Sequence, residues 1–297
     1  MRGPREARRG AWMPPGGHRL FVPGEGIYRV NQETEVPVYI KPEPNTKNYQ
    51  RLMEQEISRW REQPGRRPRL LLHSCCAPCS SAVLDALCAD FDITLFYYNP
   101  NISTEAEFTH RVDELRRFCH ETGIDVERQD SAGHLLGAVE VVVPPYDHRE
   151  FLAIARGHER DPERGERCHL CYRQRLERTA EYMEEMNQAC AAAQCSEDSA
   201  KERSAACAEA QRVESGAEET NDVGTHRPFD YFCTTLTLSP LKSSEVLNVI
   251  GEDIGKAHGL SFLPSDFKKR GGYQKSIELS KQYELYRQNF CGCEFSR

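Results

Sequence analysis

Arg69-Leu70-Leu71-Leu72-His73-Ser74-Cys75-Cys76-Ala77-Pro78-Cys79 is an apolar run that ends abruptly in three cysteines within five positions. Three consecutive leucines suit a parallel strand buried on both faces, because such a strand shows no alternation between core and solvent. Ala77-Pro78 then turns the chain into a helix, since proline at a first helical position sacrifices no hydrogen bond. A strand, a tight turn and a helix N-terminus place the thiols at the carboxyl edge of a sheet, where open α/β sheets bind ligands. The positive end of the helix favours the thiolate that a metal requires. Vicinal cysteines with a third at C-x-x-C spacing therefore read as a metal or redox site in preference to inert core.

The segments around this stretch alternate. The pattern predicts a helix over 49–60 before Pro64-Gly65, a strand over 70–73, a helix over 80–88 and a strand over 92–98. Thr104 and Glu107 form a capping box for a third helix, whose Phe108, Val112, Leu115 and Cys119 share a face until Gly123, and residues 124–126 follow as a strand. Later come a strand over 230–238, a helix carrying Leu247, Ile250, Ile254 and Ala257 and stopped by Gly259, a short strand over 261–263, and a helix near 275–288. The βαβα order predicts an α/β fold, Rossmann-like, with a mainly parallel sheet, flanking helices and a single catalytic domain. Residues 1–47 read as a disordered extension rich in Arg, Gly and Pro, and 48–297 as the domain. Residues 187–228 hold no Phe, Tyr, Trp, Leu, Ile or Met and read as a disordered acidic insertion, so Cys190, Cys195 and Cys207 are discounted as ligands. Cys88 and Cys119 read as core.

With 297 residues and 38% hydrophobic content the chain can bury a substantial core. Its net charge of −7 argues against nucleic acid as an average, yet the charge is unevenly spread. Thirteen cysteines without a signal peptide or a membrane-length apolar run point to a cytoplasmic protein whose cysteines serve metal or redox chemistry.

A second thiol group, Arg167-Cys168-His169-Leu170-Cys171-Tyr172, opens a helical segment, and residues three apart share a face there. Two thiolates from this turn and two from Cys75, Cys76 and Cys79 make a four-thiolate site suited to zinc or to an iron–sulfur cluster. Ligand chemistry leaves that choice open. His73 and His169 read as polar neighbours of the ligands. Cys291-Gly292-Cys293 is a different device: a disulfide across one residue closes a strained ring, and strain raises the reduction potential, which suits a dithiol that cycles. Phe267-Lys268-Lys269-Arg270-Gly271-Gly272-Tyr273 sets three cations between aromatics, a composition suited to single-stranded RNA and equally to a solvated loop.

Taken together, Leu71-Leu72-His73-Ser74-Cys75-Cys76-Ala77-Pro78-Cys79, Tyr98-Asn99-Pro100-Asn101-Ile102, Gly165-Glu166-Arg167-Cys168-His169-Leu170-Cys171-Tyr172, Thr234-Thr235-Leu236-Thr237-Leu238-Ser239-Pro240, Asp266-Phe267-Lys268-Lys269 and Tyr286-Arg287-Gln288-Asn289-Phe290-Cys291-Gly292-Cys293 resemble the motifs of the QueH-type epoxyqueuosine reductases, in the same order. The resemblance implies reduction of epoxyqueuosine to queuosine at the wobble position of tRNA. It implies a 4Fe-4S cluster on Cys75, Cys76, Cys168 and Cys171, with room for an additional iron, and leaves Cys79 without a cluster role. It implies that Cys291 and Cys293 form the redox pair, reset by an external thiol or electron-donor system. Among polar residues in recognisable segments, Asp147 and Asp266, with Tyr146 and His148, are the candidates for the acid that protonates the departing oxygen. Lys268, Lys269 and Arg270 are the expected tRNA contacts, and Tyr172 or Tyr273 a stacking partner for an unpaired base. Two other readings compete: a zinc-stabilised RNA-binding module, and a PP-loop-like tRNA-modifying enzyme, whose phosphate cradle Cys75-Cys76-Ala77-Pro78 lacks the glycines to form.

Overall fold

The computed structural model describes residues 27–30, 37–40, 47–63, 66–130, 133, 135–208 and 227–296, with the backbone alone for 27–30, 37–40 and 194–208. The chain divides into Met1–Pro44 and Asn45–Arg297. In the first unit, β1 (Ile27–Val30) and β2 (Pro37–Ile40) pair antiparallel, Ile27 opposite Ile40. The expected disorder of the extension otherwise falls outside the described residues, as does the Pro64-Gly65 stop.

The second unit is built on four parallel strands in the order β7-β4-β3-β8. These are β3 (Arg69–His73), β4 (Asp92–Phe96), β7 (Glu140–Val142) and β8 (Tyr231–Thr234). Leu70, Leu71 and Leu72 are fully buried, as a central parallel strand requires. Leu70 and Leu72 face α1 (Tyr49–Arg61), α2 (Ala77–Leu87) and α3 (Glu105–Glu121) through Met53, Val83, Leu87 and Leu115. Leu71 faces the other way, toward Leu176, Met183, Leu247 and Ile250 of α5 (Glu166–Ala208) and α6 (Ser244–His258). The Thr104 side chain accepts from the Glu107 amide, as the capping box predicts, and Gly259 ends α6 in a left-handed conformation. α6 approaches its neighbours closely at Gly251, where a Cβ would fall 2.4 Å from the Phe262 ring.

Several expected boundaries move. Residues 124–126 are not a strand: Val126 is 57% exposed, and the third partner in the sheet is β7, beyond a two-residue antiparallel pair of β5 (Arg128–Gln129) and β6 (Leu135–Leu136). Residues 261–263 contribute a single parallel bridge, Phe232 with Phe262. The strand expected over 230–238 stops at Thr234 and becomes a tight 3₁₀ turn, Thr235–Leu238, because its hydroxyls find partners in the loops at the sheet edge. The helix expected near 275–288 is α7 (Gly272–Gln282). α5 continues past residue 187 to Ala208: Asn187 exchanges two hydrogen bonds with the Phe229 backbone, and Cys190 is buried. Composition hid this, since alanine-rich sequence is a good helix former once its first turns are docked. Cys88 and Cys119 pack in the core as expected.

α5 and α6 are held together at their polar edge by His258, whose Nε2 lies 2.8 Å from Glu177 and whose Nδ1 lies 2.9 Å from Glu184. Burial lowers the imidazole pKa, but the two carboxylates outweigh it and the net shift is upward. A group whose folded pKa is raised stabilises fully below its unfolded value, about 6.5, and loses that contribution as pH rises through the folded pKa. The amides of the α5–α6 edge are therefore expected to have lower protection factors, that is exchange corrected for its intrinsic base catalysis, at alkaline pH than near pH 6, and His258→Gln should remove that difference; hydrogen exchange at the two pH values measures it.

Candidate active site

The strand order creates the site. β4 lies on one side of β3 and β8 on the other, so the connections leaving β3 and β8 diverge at their carboxyl ends and open a crevice between them. The turn after β3 carries Cys75, Cys76 and, in the first turn of α2, Cys79. The Cys75 amide donates to Thr235 Oγ1 at 3.3 Å, and that hydroxyl in turn lies 3.5 Å from the Cys75 sulfur. The three sulfurs lie within 4.8 Å of one another, with Cys75 and Cys76 at 3.8 Å. Cys76 and Cys79 donate to the Cys75 sulfur, which brings the Cys75 thiol well down and the other two up, so one negative charge is shared among the three.

A cavity of about 230 Å³ opens beside this group. Cys75, Cys76, Cys79, Cys168, Cys171, Cys291 and Cys293 all line it. Cys168 and Cys171, at the start of α5, thus share the space without joining the tight sulfur triangle. Burial raises both of their thiols, Cys171 to about 11. Cys291 and Cys293 are free thiols. Cys291 is brought down to about 5, chiefly by a hydrogen bond from Cys293, with help from Ser296, while Cys293 moves up for the same reason. One thiolate beside one thiol is the reactive form of a dithiol pair. Gly292 adopts φ +104°, and a Cβ there would meet Ile102 at 2.9 Å and the Arg111 guanidinium at 3.3 Å. Glycine is required by conformation and by space.

The loop after β4 organises both thiol groups. Asn99 donates to the Ser74 carbonyl at 2.8 Å and accepts from Arg175 of α5 at 3.3 Å, joining the exit of β3 to the helix of Cys168 and Cys171. Two residues on, Asn101 donates to the Cys291 carbonyl, which also accepts from Arg111 at 3.1 Å. Arg175 is 4% exposed, and its hydrogen-bond partners, the Cys171 carbonyl and the Asn99 amide, are neutral. A buried guanidinium so placed calls for anionic sulfur nearby, since burying an uncompensated charge is costly. The donor set and this cation fit a thiolate-held iron–sulfur group.

The sequence motifs predicted these cysteines and contained Asn99 and Asn101 without giving them a role; Arg111, Arg175 and Lys242, which also line the cavity, were not singled out. Those three are cations outside the quoted motifs, without a spacing that demands chemistry. His73 bridges three strand ends, through Thr234 at 2.9 Å and the Tyr98 carbonyl at 3.2 Å, and burial lowers its pKa to about 3. With both ring nitrogens engaged it is a structural residue. Neither Asp147 nor Asp266 is part of the cavity lining. Asp147 caps α4 (His148–Ala155) and pairs with Arg149. Asp266 is buried with its Oδ1 3.2 Å from the Lys268 ammonium. Tyr146 donates to the Ile102 carbonyl, and His148 Nδ1 lies 2.7 Å from the Pro100 carbonyl. Of the three basic residues, Lys268 is bound inward, Arg270 pairs with Glu54, and Lys269 is half exposed. Tyr172 is buried in the lining and Tyr273 stands at the rim beside Arg287. Among the described residues no helix is long and apolar enough to cross a membrane.

Comparison with known proteins adds sequence relatives. A family profile described as epoxyqueuosine reductase QueH matches residues 70–194 and 189–297. An epoxyqueuosine reductase QueH of Streptococcus pyogenes serotype M1 is 33% identical over 254 residues, 85% of this chain and 80% of the relative. One of Staphylococcus epidermidis is 32% identical over 251 residues, 84% of each. One of Thermotoga maritima is 26% identical over 230 residues, 76% of this chain and 89% of the relative.

Proposed function

The chain belongs to the epoxyqueuosine reductase QueH family, and from that premise we propose that it is an oxidoreductase converting epoxyqueuosine in tRNA to queuosine, with Cys291 and Cys293 as the reducing pair and a 4Fe-4S cluster held by Cys75, Cys76, Cys168 and Cys171. The observation that carries this reading is the meeting of three cysteine motifs, separated by 89 to 212 residues at the nearest, on one cavity. When bound, the cluster supplies a Lewis-acidic and electron-conducting centre beside the substrate.

The chain's own residues account for the rest. Arg175 balances the anionic thiolates. Arg111 and Asn101 hold the Cys291 carbonyl, so the pair keeps its place in the cavity while the thiols react. Tyr273 and Arg287, at the rim, suit stacking on a base drawn out of the anticodon loop. Lys269, the half-exposed member of the basic stretch whose side chain is not held by another element among the described residues, is assigned to tRNA phosphates, and an external thiol or electron-donor system returns the disulfide to the dithiol.

A second reading follows from the sulfur triangle. Two ligands about 2.3 Å from one tetrahedral ion stand about 3.8 Å apart, the separation of Cys75 and Cys76. That spacing suits a single ion held with Cys79, either the additional iron or the zinc of a binding module. Anaerobic incubation of iron-reconstituted protein with tRNA bearing epoxyqueuosine and a thiol reductant, followed by nucleoside analysis, separates the two. Queuosine from a brown protein containing iron and sulfide is expected; a colourless zinc protein that binds tRNA without converting it would refute the reductase.

A further inference from the structure

We propose that Lys242 donates the proton to the epoxide oxygen as its carbon–oxygen bond opens, a role that rests on the reductase reading above. The net reaction breaks two carbon–oxygen bonds, forms a carbon–carbon double bond and releases water. It consumes two electrons and two protons. Cys291 as thiolate and Cys293 as thiol supply the two electrons and one proton as their sulfur–sulfur bond forms; the second proton comes from Lys242, whose amine solvent water reprotonates afterwards. What the dithiol does not supply by itself is a donor placed at the oxygen when negative charge develops there.

The cavity narrows the choice. Arg111, Arg167, Arg175 and Arg287 line it but keep their protons under all relevant conditions. Tyr172 is buried, and desolvation pushes its phenol up, away from easy proton release. Among the described residues, Glu163 is the lining's carboxylate, and it is exposed. Asp147 and Asp266 lie outside the lining. Tyr273 stands at the rim, where it is assigned to base stacking, which leaves Lys242, half-buried, on the Ser239-Pro240-Leu241-Lys242 segment that follows the 3₁₀ turn beyond β8. Its charge adds to the lowering of Cys75 and Cys291 and opposes the rise that burial gives Cys171, thiols on three different segments. Lys242 thus lines the same cavity as Cys75, Cys171 and Cys291. Among the described residues it forms no ion pair, so its proton is not committed elsewhere.

The residues beneath it hold the segment in place. The Lys268 ammonium donates to the Thr237 carbonyl at 3.4 Å and to the Lys242 carbonyl at 3.2 Å, while Asp266 holds that ammonium at 3.2 Å. The Asp266-Phe267-Lys268 stretch therefore acts as a brace that fixes the backbone from which Lys242 reaches. This makes Asp266 and Lys268 positioning residues.

The test uses full-length, iron-loaded, reduced protein and tRNA bearing epoxyqueuosine in anaerobic single turnovers. Lys242→Ala is expected to lose roughly 10²–10⁴-fold in kcat, with KM and iron content unchanged. Added ammonium or methylamine is expected to restore turnover in proportion to amine concentration. Lys242→Arg keeps the charge and should bind tRNA normally, yet turn over well below the unsubstituted protein. Wild-type kcat in Lys242→Ala overturns the assignment. So does loss without amine rescue, or full activity in Lys242→Arg, since either would mean that the ammonium's charge or its packing matters and its proton does not. An unsubstituted protein that forms no queuosine overturns the reductase reading itself, and the lysine's role with it.

Discussion

Cys291→Ser is expected to abolish queuosine formation, by more than about 10³-fold, because removing a group that forms the covalent bond costs at least that much in comparable knockouts. Serine fills the same space and accepts the same hydrogen bonds, but it cannot form the sulfur–sulfur bond that releases two electrons. Cys293→Ser should be equally inactive, and the double variant no worse than either, since the pair acts as a unit. Tight iron binding should survive in all three, which separates a lost reductant from a lost fold. A further signature distinguishes the two thiols. Cys291 is down at about 5 chiefly because Cys293 donates to it, so near pH 6 iodoacetamide should label Cys291 ahead of Cys293. In Cys293→Ser a hydroxyl donor remains but is set differently, and selective labelling should weaken. Mass spectrometry of the labelled peptide reads the outcome. Equal queuosine from Cys291→Ser and the unsubstituted protein would remove the dithiol from the reaction.

Replacing Cys168 or Cys75 by alanine should have the next largest effect, on cofactor and activity together. Each substitution removes one of the four thiolates assigned to the cluster, all of which line the same cavity. Cluster iron is expected to fall from about four per chain toward zero, with loss of the brown absorbance and of turnover. Cys88→Ala and Cys119→Ala serve as controls, since both side chains pack in the core away from the cavity. They should cost some stability without changing the iron content. Cys79→Ser is the informative intermediate: it leaves the four assigned ligands in place and breaks the sulfur triangle, so the cluster is expected to persist. If Cys79→Ser strips the cluster and Cys168→Ala does not, the triangle of Cys75, Cys76 and Cys79 is the true metal site.

Asp266 was expected as a candidate acid beside the reacting oxygen. It is buried, but outside the cavity lining, against Lys268, whose ammonium in turn donates to the Thr237 and Lys242 carbonyls. The same displacement applies to the basic stretch itself: Lys268 turns inward, and Arg270 pairs with Glu54. Residues 187–208 show the opposite case. Their composition lacks the large apolar side chains that announce structure, yet α5 runs on into them, docked through Asn187 and Cys190, and alanine then continues it.

Local chemistry was legible without coordinates. Leu70 to Leu72 announced a strand buried on both faces, Thr104 and Glu107 a helix start, Gly259 a helix end, and the three cysteine motifs a thiol site, because each depends on neighbours within a turn or a strand. Which thiols share one space was decided by the tertiary structure. The crevice exists because β4 and β8 flank β3 on opposite sides, and its closure rests on contacts such as Cys75 with Thr235, 160 residues apart, and Asn101 with Cys291, 190 apart. Such contacts carry no periodicity, so nothing in the local pattern encodes them. They form because a right-handed parallel crossover brings every strand's carboxyl end to one edge, where unpaired backbone groups and short polar side chains must find each other.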